Sequence, residues 1–543
     1  MKINLFAKYL LAATLFTGVA ACQNPLKDFN LQISTEIIKH KAVMKIVDLN
    51  GNVIPGAAVK LVSGDIQDIY NMEGTKDFKV NEGIVVFGLN PNVTVTDHTI
   101  IRFRVEVTAP DYITQIIPVT ITNGSQGITT VVMIKPDPIP EGGGLQQELT
   151  NVDLALDGST TQETAVTVPA ATPGAAQLSI SIPSGTQFKD ASGQVVVGGA
   201  VTVNVGSLDP ENENIDATLP GGSLAVDAVV KGDGTEGGGT FSPAGITRIT
   251  MLVNGVSIKE FSQPIAVRIP LPSSYVSPIT GLPIAAGQPF EIYSNSSTDN
   301  KWKYERTVTV SGSASTGYYA EFTINHLSYY MAAEFKESCS TGTRINFTGS
   351  WMDNNSTTPL TVEIEWKGRR IYSREHSISS AMKSVVIDNM PNESIRVIVK
   401  NKAGTVIHTS AVAACGQVTN VVLPNPNPTP SPSATLQLYV RCPNSTGVIT
   451  FLPTFELFYK ESGSTGEFKY LGTVVNGLLK THLLETNGKK YDFQAHYNNK
   501  SKTVVNKTIS ADNSGTVGNQ PGDLLINDVN NNLGIMKEEC DKL

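Results

Sequence analysis

Apolar and polar residues alternate with a period of two through much of this chain. In Thr361-Val-Glu-Ile-Glu-Trp366, Val362, Ile364 and Trp366 fall on one face and Glu363 and Glu365 on the other. That pattern describes a strand in a sheet with one wet side. Ala200-Val-Thr-Val-Asn-Val205 alternates strictly, and Leu178-Ser-Ile-Ser-Ile182 does the same before Pro183. Near the start, Asn50-Gly51 separates two apolar runs within Ile46–Leu61 and signals a hairpin, and Gly83-Ile-Val-Val-Phe-Gly-Leu89 supplies a further strand. No long stretch has helical periodicity. The expected class is all-β, built of tandem β-sandwich-like modules.

Proline divides the strands into groups. Pro136-Asp-Pro-Ile-Pro-Glu-Gly-Gly-Gly144 and Pro424-Asn-Pro-Asn-Pro-Thr-Pro-Ser-Pro432 cannot build sheet interiors, because proline lacks the ladder donor. The second should be extended and semi-rigid. With a softer boundary near Glu334–Ser338, the expected modules are 31–135, 150–335, 336–423 and 436–543, with linkers at 136–149 and 424–435. Lys231 to Gly239, rich in glycine, is expected to be a loop insertion. It lacks the Gly-Lys-Ser/Thr motif of a nucleotide phosphate loop.

The first 21 residues differ from the rest. Lys2 and Lys8 precede the apolar run Tyr9–Val19, which is too short to span a bilayer permanently and has the form of a signal-peptide core. Val19-Ala20-Ala21-Cys22 follows directly, with small residues for a peptidase subsite and a thiol that can carry a diacylglycerol. This tetrapeptide resembles the lipobox of bacterial lipoproteins. The resemblance implies cleavage before Cys22, lipid on that cysteine and a short tether over 22–30. A plain secretory signal with a chance cysteine is the competing reading. Several acyl chains anchor a protein where one binds only marginally. Gln23 replaces the Asp that would imply inner-membrane retention in enterobacteria, so the outer membrane is expected, with the leaflet open.

Composition sharpens this picture. Of 543 residues only 17% are charged, with 47 Gly and 30 Pro, which suits strands and turns. The formal charge of −8 becomes −10 once Lys2 and Lys8 leave with the signal. An acidic chain without basic runs argues against nucleic-acid binding. Setting Cys22 aside, Cys339, Cys415, Cys442 and Cys540 remain, and an even number in an exported protein suggests disulfides. Cys339–Cys415 and Cys442–Cys540 is the favoured pairing of three, because each bridge would close one module. Cys339-Ser-Thr-Gly342 also echoes Cys442-Pro-Asn-Ser-Thr-Gly447, as if the last two modules were diverged copies. No C-x-x-C pair or H-E-x-x-H spacing is present, and no cofactor or metal is expected. Asp48-x-Asn50-x-Asn52 and Asp209–Asp216 gather hard oxygens, but hairpin and exposed acidic turns are the expected readings.

Two modules resemble known families. Ile46–Leu61 and Gly83–Leu89 resemble the carboxypeptidase-regulatory or transthyretin-like β-sandwich of Bacteroidetes surface proteins, where the module is structural. In the second module, Leu178–Phe188, Ala200–Val205, Phe241-Ser-Pro-Ala-Gly245, Pro264–Pro272, Trp302 and His326-Leu-Ser-Tyr-Tyr330 follow one another in an order similar to the ZU-five β-domain of ankyrins and netrin receptors and to its GAIN relative. The whole resembles a multidomain surface lipoprotein of the Bacteroidetes. The GAIN likeness implies a chemical possibility at His326-Leu327-Ser328. Ser328 Oγ would attack the Leu327 carbonyl with His326 as general base, and water would release the resulting ester. A plain packed strand competes with it.

No other catalytic residue is expected; no G-x-S-x-G elbow is present. Carbohydrate binding would need an exposed aromatic platform. Trp302, Trp351, Trp366, Tyr318-Tyr319 and Tyr329-Tyr330 are the candidates, with Trp351, beside Met352-Asp-Asn-Asn355, the most plausible surface aromatic and Trp366 expected in the core. The expected protein is a non-enzymatic scaffold or adhesion protein, lipid-anchored in the envelope, meeting an unidentified envelope protein or glycan. The alternatives are a surface glycan-binding lipoprotein and a self-cleaving module.

Overall fold

The computed structural model describes residues 31–516, apart from 35–37, 97–99, 123–127, 136–144, 171–174, 213, 296–300, 340, 350–351, 353–357, 379–382, 425–433, 443–448 and 498–499. The chain is nearly all β, as the alternation requires. Ile101–Thr108 and Gln115–Ile121 bury every second side chain, and a stripe of that kind must pack against a second sheet. The described residues fall into two compact units. Residues before 40 group with those after 426, and nearly all of 40–426 forms the other.

Three modules share one plan. In the first, Lys41–Val47 pairs antiparallel with Ile84–Leu89 and parallel with Ile128–Val132, while Ala58–Gly64, Ile101–Thr108 and Gln115–Ile121 form the facing sheet. In the third, Thr343–Thr348 pairs antiparallel with Ser384–Ile387 and parallel with Val418–Val422. Its facing sheet holds Thr358–Trp366, Arg369–Ile378, Ser394–Asn401 and Val406–Thr409. In the fourth, Ala434–Cys442 pairs antiparallel with Leu478–Thr481 and parallel with Asp512–Thr516, opposite a sheet of Phe455–Glu461, Lys469–Val474, Lys490–Tyr497 and Lys500–Thr508. Each module thus opens and closes on two parallel neighbours. Apolar clusters fill the space between sheets, around Phe87 and Phe103, around Trp366 and Phe347, and around Phe455 and Phe493.

The second module is larger. Thr164–Val168, Leu178–Ile182, Glu260–Leu271, Gly317–His326 and Ser311–Ser313 make one sheet. The other runs through Ala225–Val230, Trp302–Thr309, Pro289–Asn295, Tyr329–Glu337, Glu236–Val253, Ala200–Leu208 and Leu145–Asp153.

Several expectations change here. The stretch from Lys231 to Gly239, expected as a loop, contains the start of a strand. Glu236–Val253 is continuous and hairpinned to Ala225–Val230 through a turn in which Thr235 O accepts from Lys231 N. Glycine is needed there for close approach: a Cβ at Gly239 would lie 2.2 Å from Lys336 O. Asn50-Gly51 does make a turn, with the Gly51 N–H bonded to Asp48 O. It does not join two strands of one ladder, because Pro55-Gly56 stops the pairing after a single Val47–Val53 bridge and Ala58–Gly64 enters the other sheet. The linker expected over 136–149 ends sooner, since Leu145–Asp153, which has no proline, pairs with Ala200–Leu208. Ala434, placed in the second linker, likewise starts a strand. Leu31–Ser34, expected to open the first module, pairs in parallel with Ile449–Leu452.

The first three modules are locked to one another. Thr129 and His376 pair across modules, so the first and third share a sheet. Ile134 of the first module is buried in a cluster with Phe241, Tyr293 and Trp302 of the second. Asp227 of the second module bonds Arg104 of the first and Asn389 of the third, and Arg102 pairs with Asp388 at 3.1 Å. Arg369 adds Glu211 at 2.6 Å, the Pro243 carbonyl at 2.9 Å and the Tyr275 ring.

Candidate functional site

His326 closes the strand Gly317–His326, and Tyr329–Glu337 begins three residues later in the opposite sheet. The tripeptide His326-Leu327-Ser328 is therefore the step from one sheet to the other. Leu327 N–H donates to Lys259 O at 3.0 Å, and Ser328 O accepts from Ile249 N at 3.4 Å, which ties the step to both sides. Leu327 packs against the core, and Ser328 is buried.

The side chains form a chain of three. Ser328 Oγ lies 3.3 Å from His326 Nδ1, and His326 Nε2 lies 3.3 Å from Glu305 Oε1. Glu305, on Trp302–Thr309, which is separated from Tyr329–Glu337 in its sheet by Pro289–Asn295, also accepts from Ser294 Oγ at 2.6 Å. Tyr330 donates its hydroxyl to the His326 carbonyl at 2.5 Å and approaches Nδ1 at 3.4 Å. A proton on Nε2, facing the carboxylate, leaves the Nδ1 lone pair toward Ser328. That tautomer is the one a general base requires.

The electrostatics agree with the pairing. The hydrogen bond to Glu305 raises the His326 pKa above its ordinary value, against burial, which lowers it. Burial pushes Glu305 up, but hydrogen bonds from His326 and Ser294 outweigh it, and its carboxyl titrates below the usual range. Burial raises the Tyr330 phenol well above 10, so it stays a neutral donor. None of the three tripeptide residues takes a left-handed backbone conformation.

The other predicted residues divide sharply. Cys339 and Cys415 are joined by a disulfide, with 6.2 Å between their Cα atoms. Cys442 is the last residue of Ala434–Cys442, whereas Cys339 precedes its module's first strand, so the two openings that look alike in sequence are not equivalent. Cys540, Trp351, Val19, Ala20, Ala21 and Cys22 lie outside the described residues. Trp302 and Trp366 are buried in cores, which removes both as sugar platforms. Tyr318 and Tyr319 are half-buried, the latter under the Arg268 guanidinium.

The acidic turn at Asp209–Asp216 is occupied internally. Asp209 Oδ1 caps Glu211 N, Glu211 pairs with Arg369, and Asp216 accepts from Leu224 N at 3.0 Å. Asp48 Oδ1 likewise takes the N–H groups of Asn50 and Asn52, both at 2.8 Å. Among the described residues no three His, Cys, Asp or Glu side chains converge as metal ligands, and no helix is long and apolar enough to cross a membrane.

Sequence reasoning did not find Glu305. Its only local signal is alternation: Trp302 and Tyr304 share one face of their strand, which turns Lys303 and Glu305 to the other.

No family model matches the chain, and no curated protein matches it. Among solved structures, the Bacillus anthracis TIE protein is 11% identical with a TM-score of 0.13, over 70% of this chain and 59% of that one. The chain thus spans less than two thirds of that protein's length. A streptococcal ancillary pilin is 10% identical with a TM-score of 0.13, over 44% and 95%. The major pilin subunit of Bacillus cereus is 8% identical with a TM-score of 0.15, over 88% and 98%. Scores this low do not describe a shared arrangement of modules; the all-β class rests on the sheets themselves.

Proposed function

We propose that this chain is a lipid-anchored scaffold or adhesion protein of the cell envelope, held through Cys22 and presenting its β-modules to a protein or glycan partner. The observation that supports this reading most is the junction at Asp227, where ion pairs and hydrogen bonds tie three modules into one block. A stiff block of modules suits presentation at a surface. Growth with a clickable fatty acid tests the anchor. The wild-type chain should carry label and sediment with membranes, and Cys22→Ala should do neither. An unlabelled, freely soluble wild-type chain would overturn the reading. In the source bacterium lacking the chain, wild type but not Cys22→Ala should restore adherence or envelope integrity.

A second reading is favoured by the Ser328–His326–Glu305 chain: slow self-cleavage at Leu327–Ser328. Ser328 Oγ would add to the Leu327 carbonyl while His326 takes the hydroxyl proton and returns it to the departing Ser328 nitrogen. The resulting ester would then be hydrolysed. Because Glu305 raises the His326 pKa, the free base gains population as pH rises, and cleavage should speed up with it. A denaturing gel of mature protein incubated at about pH 8.5, two units above the ordinary histidine value, should show two fragments, abolished by Ser328→Ala. Full-length wild type alone would dismiss it.

A further inference from the structure

Val418–Val422 is an outer strand of the third module. It pairs on one side with Thr343–Thr348, and among the described residues no strand pairs with its other side. Leu423 N–H donates to Thr348 O at 2.7 Å, which sets the direction of the backbone groups before it. Those groups alternate along a strand, so Thr419 and Val421 turn theirs toward the ladder, as Leu423 does. Val418, Asn420 and Val422 hold their N–H and C=O groups out along the open edge.

The side chains of the same three residues reach solvent. Val418 is 50% and Val422 73% exposed, and Asn420 is exposed between them, whereas Val421 is buried in the core. An open edge flanked by apolar side chains is a template for another strand, and lysine or proline on the edge normally prevents this. Other outer strands here are guarded in that way: Gln115–Ile121 by Pro118, Ala58–Gly64 by Lys60, and Lys500–Thr508 by Lys500, Lys502 and Lys507. Thr164–Val168 is uncharged as well, but its exposed side chains are Ala165 and Thr167. Val418–Val422 has neither charge nor proline.

The order of residues selects the occupant. Turned antiparallel against a second copy of itself, with a two-fold axis at Asn420, the strand sets Val418 opposite Val422 and Asn420 opposite Asn420. The outward N–H and C=O groups of all three residues then meet their complements. Each exposed valine covers another, and the two Asn420 amides can bond one another. Moving the axis to Val421 would set Val418 against Pro424, which has no N–H to give.

We propose that Val418–Val422 is the contact of a two-fold dimer, in which a second copy of this chain adds the same strand antiparallel and carries the sheet from one third module into the other. The contact depends neither on the anchor nor on cleavage at Ser328, and would stand if either failed.

Sedimentation velocity of the full mature chain tests it. One short strand buries less than a stable interface does, so dimer should be populated at about 100 µM and lost by about 1 µM. Asn420→Lys places like charges face to face on the axis and should weaken the dimer about tenfold or more, with the thermal midpoint unchanged because the side chain is exposed. An equimolar mixture of Asn420→Lys and Asn420→Asp chains should dimerise again, since only a two-fold axis at this residue sets the two charges opposite each other. If Asn420→Lys does not fold, Val422→Lys should weaken the dimer instead. A monomeric wild type at about 100 µM would overturn the proposal and leave the edge to a strand of another protein. A dimer that both lysine variants leave intact, or a charge-swapped mixture that stays monomeric, would overturn it too.

Discussion

Asp216 is a residue whose charge is at odds with its surroundings. Burial pushes its pKa up to about 6, against the opposing pull of Arg374. A carboxyl whose pKa is higher folded than unfolded stabilises the fold below the unfolded value, and that contribution is lost as pH rises through the folded one. The thermal midpoint should therefore decline between about pH 4 and pH 6, and Asp216→Asn should flatten that decline. An unchanged slope in the variant would rule Asp216 out as its source. Such residues were only half legible in the sequence. His326-Leu327-Ser328 could be read because its members are adjacent, and the structure places the histidine and serine within 3.3 Å. Glu305 is 21 positions away and met His326 only through folding.

At the scale of elements, the disulfide is the strongest local device. It joins residues 76 apart in sequence, a loop whose closure is worth about 4–5 kcal/mol in the chain-entropy model. Cys339→Ser with Cys415→Ser should lower the third module's denaturant midpoint accordingly, followed through Trp366 fluorescence. A midpoint unchanged from wild type would mean the module's packing already holds its ends. Period-two alternation made strands such as Thr358–Trp366 and Ala200–Leu208 legible, but burial does not keep to one face: Glu363, expected on the wet side, is buried and paired with Lys400 at 2.7 Å, and Asn204 is buried too. Partner choice was not legible. The likeness of the third and fourth modules is carried by their shared ladder order, whereas the cysteine echo that suggested it falls at different ends of their first strands. The glycines at 237–239 misled because a composition typical of loops here serves close packing within a sheet.

For the molecule as a whole, the proline segments hid how firmly three of the modules join. Asp227→Ala should leave each core intact and loosen the junction by about 2 kcal/mol, the worth of a charge-assisted hydrogen bond. Limited trypsin digestion should then cut between modules in the variant faster than in wild type. Equal rates would show that the shared sheet and the Ile134 contact suffice. The first and last strands of the third module run parallel, and the disulfide precedes both. Consider such a chain under tension. Pulled by its two ends, the module carries load from Cys339 across the sulfur bridge to Cys415 and on through Val418–Val422, so the loop between the cysteines bears none of it. A stretching experiment should release about 250 Å of extra length from this module only after reduction. Chemical reducing power, more than mechanical force, would set how far the third module can yield.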